Sequence, residues 1–269
     1  MILSKRKLDI DELYVHQING YGIGNFINCT PTIKYLSDYY HQKIPVYFDN
    51  GTIKRMYENC PFIDILNEKE ASKKECLFSS ALVNGWIPDW LFIYKKVLKR
   101  QKIKVDLNNI PHTYVDSYPT LDAYQDKKYV VIIRGMVDYT PYWIKMKDPG
   151  DTIYKYIIEK LEKEYQIVFI GGESDYNNNI CRMETWCDGY VQLNSIQKSL
   201  GLIAGASLVV SNDTGMYHAS GALNKKIFVM WKKTLFKKNQ SPGLNCFYSR
   251  LNRWQKDFDS WLDLIEHSK

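Results

Sequence analysis

SLVVSNDTGMYHASGALNKKIFVMW, residues 207–231, is the stretch on which the reading of this chain turns. It opens on Leu208-Val209-Val210, an apolar run of the length that a buried parallel strand needs. Ser211 to Gly215 is polar and compact, Met216 to Leu223 reads as a helix rich in Ala and Gly, and Ile227 to Met230 is a second apolar run. Strand, polar turn, helix and strand make a βαβ unit. Its turn falls at the carboxyl edge of the sheet, where open α/β folds bind ligands. The unpaired N–H groups that begin such a helix favour an anion, phosphate above all. Gly215, Ala219, Ser220 and Gly221 are small enough for a ligand and the sheet to approach closely. Capping by Asp213 or Thr214 is the plainer reading of the same turn, and the two readings are compatible.

With 269 residues, 45% hydrophobic and 25% charged, the chain is an ordinary soluble protein with room for two domains. Its formal charge of +6 favours anionic partners: nucleotide sugars, phosphorylated glycolipids or nucleic acid. The 21 tyrosines suit sugar or base sites, but a core or surface role explains them equally. Cys29, Cys60, Cys76, Cys181, Cys187 and Cys246 form no CxxC pair, which points to reduced thiols in a cytoplasmic protein. The first residues turn acidic before any apolar core develops, so they do not read as a secretory signal. Leu200 to Val210 is the most apolar long stretch and is too short to span a membrane, leaving at most peripheral contact through basic residues.

Outward from the opening stretch, strands alternate with helices in both halves. Leu13 to Ile18, Ile44 to Phe48 and Phe62 to Leu66 read as strands of a first series. The first of them runs into the glycine-rich turn 19–25 and then a helix that starts or kinks at Pro31. Trp86 to Lys99 is expected to be a helix beginning after Pro88. Tyr129 to Ile133 starts a second series, followed by a long loop, a helix from Thr152 to Tyr165 and a strand Ile167 to Ile170 ending in Gly171-Gly172-Glu173. A short strand at 190–193 and a helix from Ser195 to Ala204 lead back to the opening stretch. The expected architecture is α/β, with two doubly wound, Rossmann-like domains, residues 1–125 and 126–255, facing a cleft. A final amphipathic helix within 256–269 is expected to cross back and pack on the first domain.

Three segments in this order, GIGNFINCTPTIKYL, VFIGGESD and IAGASLVVSNDTGMYHASGAL, resemble glycosyltransferase family 9, the heptosyltransferase-like enzymes of the GT-B fold. The resemblance implies a nucleotide-diphospho-sugar donor in the second domain and an acceptor in the first. It implies that Thr214, Gly215 and Met216 present backbone N–H groups to the donor diphosphate, that Asp213 orders the turn, and that His218 faces the same site or the sheet. Glu173, after Gly172, matches the residue that holds the ribose, with Asp175 as its competitor. Lys145 or Lys147 corresponds to the family's phosphate-contacting lysine, although the Trp-Pro pair that follows it in the family is here Asp148-Pro149.

One departure concerns the chemistry. Many family members carry an Asp after the glycine-rich turn as base on the acceptor hydroxyl; this chain has Asn25, beside the acceptor-side glycines Gly22 and Gly24. An amide takes no proton at neutral pH, so Asp138 and Asp89 are the candidate replacements. The implied reaction is a single inverting displacement, with the departing diphosphate met by the helix start and a lysine. No metal or other cofactor is expected, and the Asp257-Phe258-Asp259 match reads as a solvated helix cap. The expected acceptor is a bacterial surface glycan, lipopolysaccharide core or capsule precursor. Modified DNA is the alternative, suggested by the basic segments Lys95–Lys104 and Lys225–Lys238. A third reading, motivated by Asn25, is an inactive nucleotide-sugar-binding protein.

Overall fold

Buried parallel strands are written as unbroken apolar runs, and the runs named above become strands in the computed structural model. It describes residues 9–20, 22–81, 89–135, 140–175, 190–192, 195–234 and 245–267, and every strand pair among them is parallel. The chain divides into two compact units, the first running to Asp116 and the second starting at Ser117.

The first unit contains β1 (Leu13–Gln17), α1 (Ile23–Ile27), α2 (Thr30–Tyr40), β2 (Ile44–Phe48), α3 (Gly51–Lys54), β3 (Ile63–Leu66), α4 (Glu68–Ala71), β4 (Glu75–Ser79) and α5 (Asp89–Arg100). The strand order is β3-β2-β1-β4, so the direction of winding reverses between β1 and β4. Pro31 sits in the first turn of α2, where a missing N–H costs nothing, and the preceding helical turn stands apart as α1. Leu13, Val15 and Gln17 of β1 are buried, whereas Tyr14 and His16 on the opposite face are half-buried.

The second unit contains β5 (Tyr129–Ile133), α6 (Pro141–Lys147), α7 (Asp151–Leu161), β6 (Gln166–Gly171), β7 (Tyr190–Gln192), α8 (Ile196–Gly205), β8 (Leu208–Asn212), α9 (Gly215–Ala222), β9 (Ile227–Trp231), β10 (Cys246–Arg250) and α10 (Trp254–Glu266). Its order, β10-β9-β8-β5-β6-β7, is that of a dinucleotide-binding sheet, with the switch point between β5 and β8. Every residue of β5, β8 and β9 is buried.

Two boundary expectations are corrected. Residues 117–125 belong to the second unit, where the irregular segment around Pro119 meets α8: Thr120 Oγ1 donates to the Gly201 carbonyl at 3.2 Å. Gly201 is required there, since a Cβ would collide with the Pro119 carbonyl. The last helix belongs to the second unit. Its stripe Phe258, Trp261 and Ile265 is buried in the core of the second unit with Ile157 and Phe228, the Phe228 and Phe258 rings lying 5.1 Å apart. Asp257 is not a solvated cap either, since it accepts from Ser249 Oγ at 2.8 Å. Among the described residues no helix is long and apolar enough to cross a membrane, and Cys29, Cys60, Cys76 and Cys246 are free thiols.

Candidate functional site

The carboxyl ends of β5 and β8 flank the switch point of the second unit. Thr214 has extended backbone and caps α9, its hydroxyl accepting from the Met216 N–H at 3.2 Å. The cap is therefore Thr214 and not Asp213. It also engages Met216, so of the three N–H groups expected to meet a diphosphate, that one already has a partner within the turn. Asp213 is buried and its backbone carbonyl accepts from Lys147 Nζ at 3.0 Å, while its carboxylate lies 3.5 Å from the same ammonium.

That contact separates the two lysines. Lys145 is exposed on α6, whereas Lys147, at the end of the same helix, reaches the turn after β8. Three ties position it. Asn212 Nδ2 donates to the carbonyls of Gly135, at 3.0 Å, and Lys147, at 3.4 Å. Lys232, just after β9, donates to the Ile144 and Asp148 carbonyls, placing a cation at the negative end of α6. Arg134, the first residue after β5, is buried and grips Asp148 through two bonds, Nε to Oδ1 at 3.1 Å and Nη2 to Oδ2 at 2.8 Å, and also reaches Asp151 at 2.7 Å. Burial opposes its charge, but the hydrogen bonds and charge of the carboxylates outweigh that and hold the guanidinium firmly protonated. Asp148, which stands where the family has Trp, is thus the partner of a buried arginine. Sequence reading missed Arg134, although an arginine directly after a five-residue apolar strand, with Asp-Pro-Gly-Asp starting 14 residues on, was the available signal.

His218 is buried in α9, and burial, with the nearby Lys147 charge adding to it, pushes its pKa down to about 3. The imidazole is neutral at pH 7 and contributes no cation to the site. After β6, the Gly172 N–H donates to Asp175 Oδ2 at 3.1 Å, so Asp175 closes its own turn. Glu173 and Gly172 are exposed, leaving Glu173 as the outward-facing carboxylate of that pair.

The first unit holds the acceptor-side candidates. Gly20 takes φ +86°, the left-handed conformation that opens the glycine-rich turn. Gly22 is exposed before α1, Gly24 is buried within it, and Asn25 is half-buried. Asp89 is 3% exposed at the start of α5, close enough to Cys29 for its charge to add to the burial that raises that thiol's pKa. It is an interior carboxylate. Asp138 lies outside the described residues. A pair that sequence reading missed stands beside the turn: His16 Nε2 lies 2.9 Å from Asp49 Oδ1, and Asp49 Oδ2 accepts from the Asn19 N–H at 2.8 Å. Burial works against the Asp49 charge, but these hydrogen bonds prevail and lower its pKa.

The model of glycosyltransferase family 9 (heptosyltransferase) matches residues 98–255. No curated protein matches the chain. Among solved structures, E. coli ADP-heptose lps heptosyltransferase II superimposes with TM-score 0.67 at 13% identity, over 95% of this chain and 99% of that one. A glycosyl transferase family 9 protein from Veillonella parvula DSM 2008 gives 0.69 at 12% identity, over 96% and 91%. The E. coli heptosyltransferase WaaC with ADP gives 0.69 at 10% identity, over 93% and 99%. These likenesses carry the fold: the two parallel sheets are those of a GT-B protein, as expected from the sequence.

Proposed function

Starting from a chain that belongs to glycosyltransferase family 9, and is therefore a glycosyltransferase, we propose that it moves a sugar from a nucleotide-diphospho-sugar to a hydroxyl of a bacterial surface glycan. The observation that carries the reading is the Lys147 ammonium held on Asp213 at the switch point of a dinucleotide-type sheet. A fixed cation and the start of α9 are preorganised for the charge that develops on a departing diphosphate. In this reading the protein groups meet that charge without a metal, the displacement inverts the anomeric centre, and Glu173 holds the ribose. The reaction takes place in the cytoplasm, on a lipopolysaccharide-core or capsule precursor.

Modified DNA has less support as acceptor. Lys225 of the basic segment donates to the Ala206 carbonyl at the end of α8, and Lys232 is committed to α6, so two of its charges serve the fold. The test is thermal stabilisation by ADP-, UDP- and GDP-sugars, the ADP-sugar first because two solved neighbours carry ADP or ADP-heptose in their names. One nucleotide class is expected to raise the melting temperature, and hydroxymethylated duplex DNA is expected to add nothing. No shift with any nucleotide would reduce the turn to a helix cap.

A further inference from the structure

We propose that His16, oriented by Asp49, takes the proton from the acceptor hydroxyl, the task for which Asn25 supplies no base. The inference rests on the transfer reading above. Forming a glycosidic bond to a hydroxyl oxygen requires that its proton leave, and a neutral amide cannot accept it. Two other carboxylates of the first unit are buried. Asp89 is interior, and Asp116 is buried, accepting from the Asn59 N–H at 2.7 Å and the Tyr114 hydroxyl at 3.1 Å.

His16 and Asp49 stand where an open α/β sheet binds its ligands. His16 is the penultimate residue of β1 and Asp49 follows the last residue of β2. Their side chains are each 25% exposed. Asp49 ties the imidazole to Asn19, whose own side chain accepts from the Gly20 N–H at 3.1 Å, so the ring is fixed against the start of the glycine-rich turn. With Nε2–H donated to the carboxylate, Nδ1 carries the lone pair, and it makes no hydrogen bond among the described residues. The same carboxylate stabilises the imidazolium that forms after proton transfer. Tyr14 and Tyr47 flank the ring with centroids 5.9 and 5.3 Å away, amphipathic surfaces of the kind that accompany a sugar. The groups facing His16 on this side of the sheet are those two tyrosines and Asp49. Strand register adds Cys76 and Ser79 of β4 and, further off on β3, the exposed Asp64.

In the step itself, the acceptor oxygen bonds to the anomeric carbon as its proton passes to His16 Nδ1. The bond from that carbon to the diphosphate oxygen breaks, and its electron pair leaves with the diphosphate. The imidazolium then loses the proton to solvent.

The experiment follows release of nucleoside diphosphate from the nucleotide sugar that raises the melting temperature, with water and a lipopolysaccharide inner-core saccharide as acceptors. His16→Gln is expected to lower kcat by about 10²–10⁴-fold, with the donor KM and the melting shift unchanged. Asp49→Asn is expected to lower kcat less, and imidazole added to His16→Ala is expected to restore part of the turnover. His16→Gln turning over within about threefold of the parent chain, or a parent chain that binds donor without turnover, would overturn the assignment. Loss of the donor shift in the parent chain would instead remove the transfer reading itself, and the two failures are thereby distinguished.

Discussion

At the scale of the residue, charge state decides what each group at the switch point can do. His218 is buried and neutral, and its folded pKa of about 3 lies below the ordinary value of 6.5. The unfolded chain therefore binds this proton first as pH falls. Stability from His218 is fully present above about pH 6.5 and is lost progressively below it. One such group contributes a slope of at most about 1.4 kcal/mol per pH unit. Urea denaturation between pH 7.5 and pH 5 is expected to show that slope, and His218→Gln to flatten it; an unchanged slope would mean that the imidazole reaches a proton in the folded state. The role of Lys147 was half legible in the sequence. Its residue type and its place ahead of Asp148-Pro149 were visible through the family resemblance, but the choice against Lys145 needed the helix that turns one lysine towards Asp213 and leaves the other in solvent.

At the scale of the element, charged groups tie down the end of α6. The Arg134–Asp148 pair is 2% and 9% exposed by side chain, and removing one partner leaves the other charge buried. Asp148→Ala is expected to cost about 3 kcal/mol or more in urea denaturation. The double change Arg134→Met, Asp148→Leu is expected to recover part of that, because no buried charge then remains unpaired. A single variant within about 0.5 kcal/mol of the parent would contradict the arrangement, that being the range of an ordinary surface change. The last helix has the opposite character: Phe258→Ala removes a ring from the core of the second unit and is expected to cost about 3–5 kcal/mol. Strands β5, β8 and β9 were legible because burial on both faces demands continuous apolar runs. Strands β4 and β10 were not. Each lies at a sheet edge and mixes exposed or half-buried residues with buried ones, so neither period nor composition marks it. Helix α6 was read as loop because seven residues opening on Pro141 carry too little periodicity.

At the scale of the whole molecule, the two parallel sheets and their order of elements follow from the alternation of strand and helix signals along the chain. The division between them was harder to read. Residues 117–128 carry few apolar residues and resemble a linker, yet Thr120 and the Pro119 carbonyl sit against α8, and only Gly201 and Gly205 make room for them. The His16–Asp49 pair was least legible, because the two residues are 33 apart and parallel pairing of β1 with β2 brings them together. The formal charge of +6 agrees with an anionic donor but does not locate it, and the turn after β8 is the place that the proposed reading gives it. The most direct test is calorimetric titration of the stabilising nucleotide sugar into the parent chain, Lys147→Ala and Lys145→Ala. Lys147→Ala is expected to weaken binding at least about tenfold, the loss of roughly one charge-assisted hydrogen bond. Lys145→Ala is expected to leave it unchanged within about twofold. Equal effects, or none, would contradict a donor site built on Asp213 and Lys147.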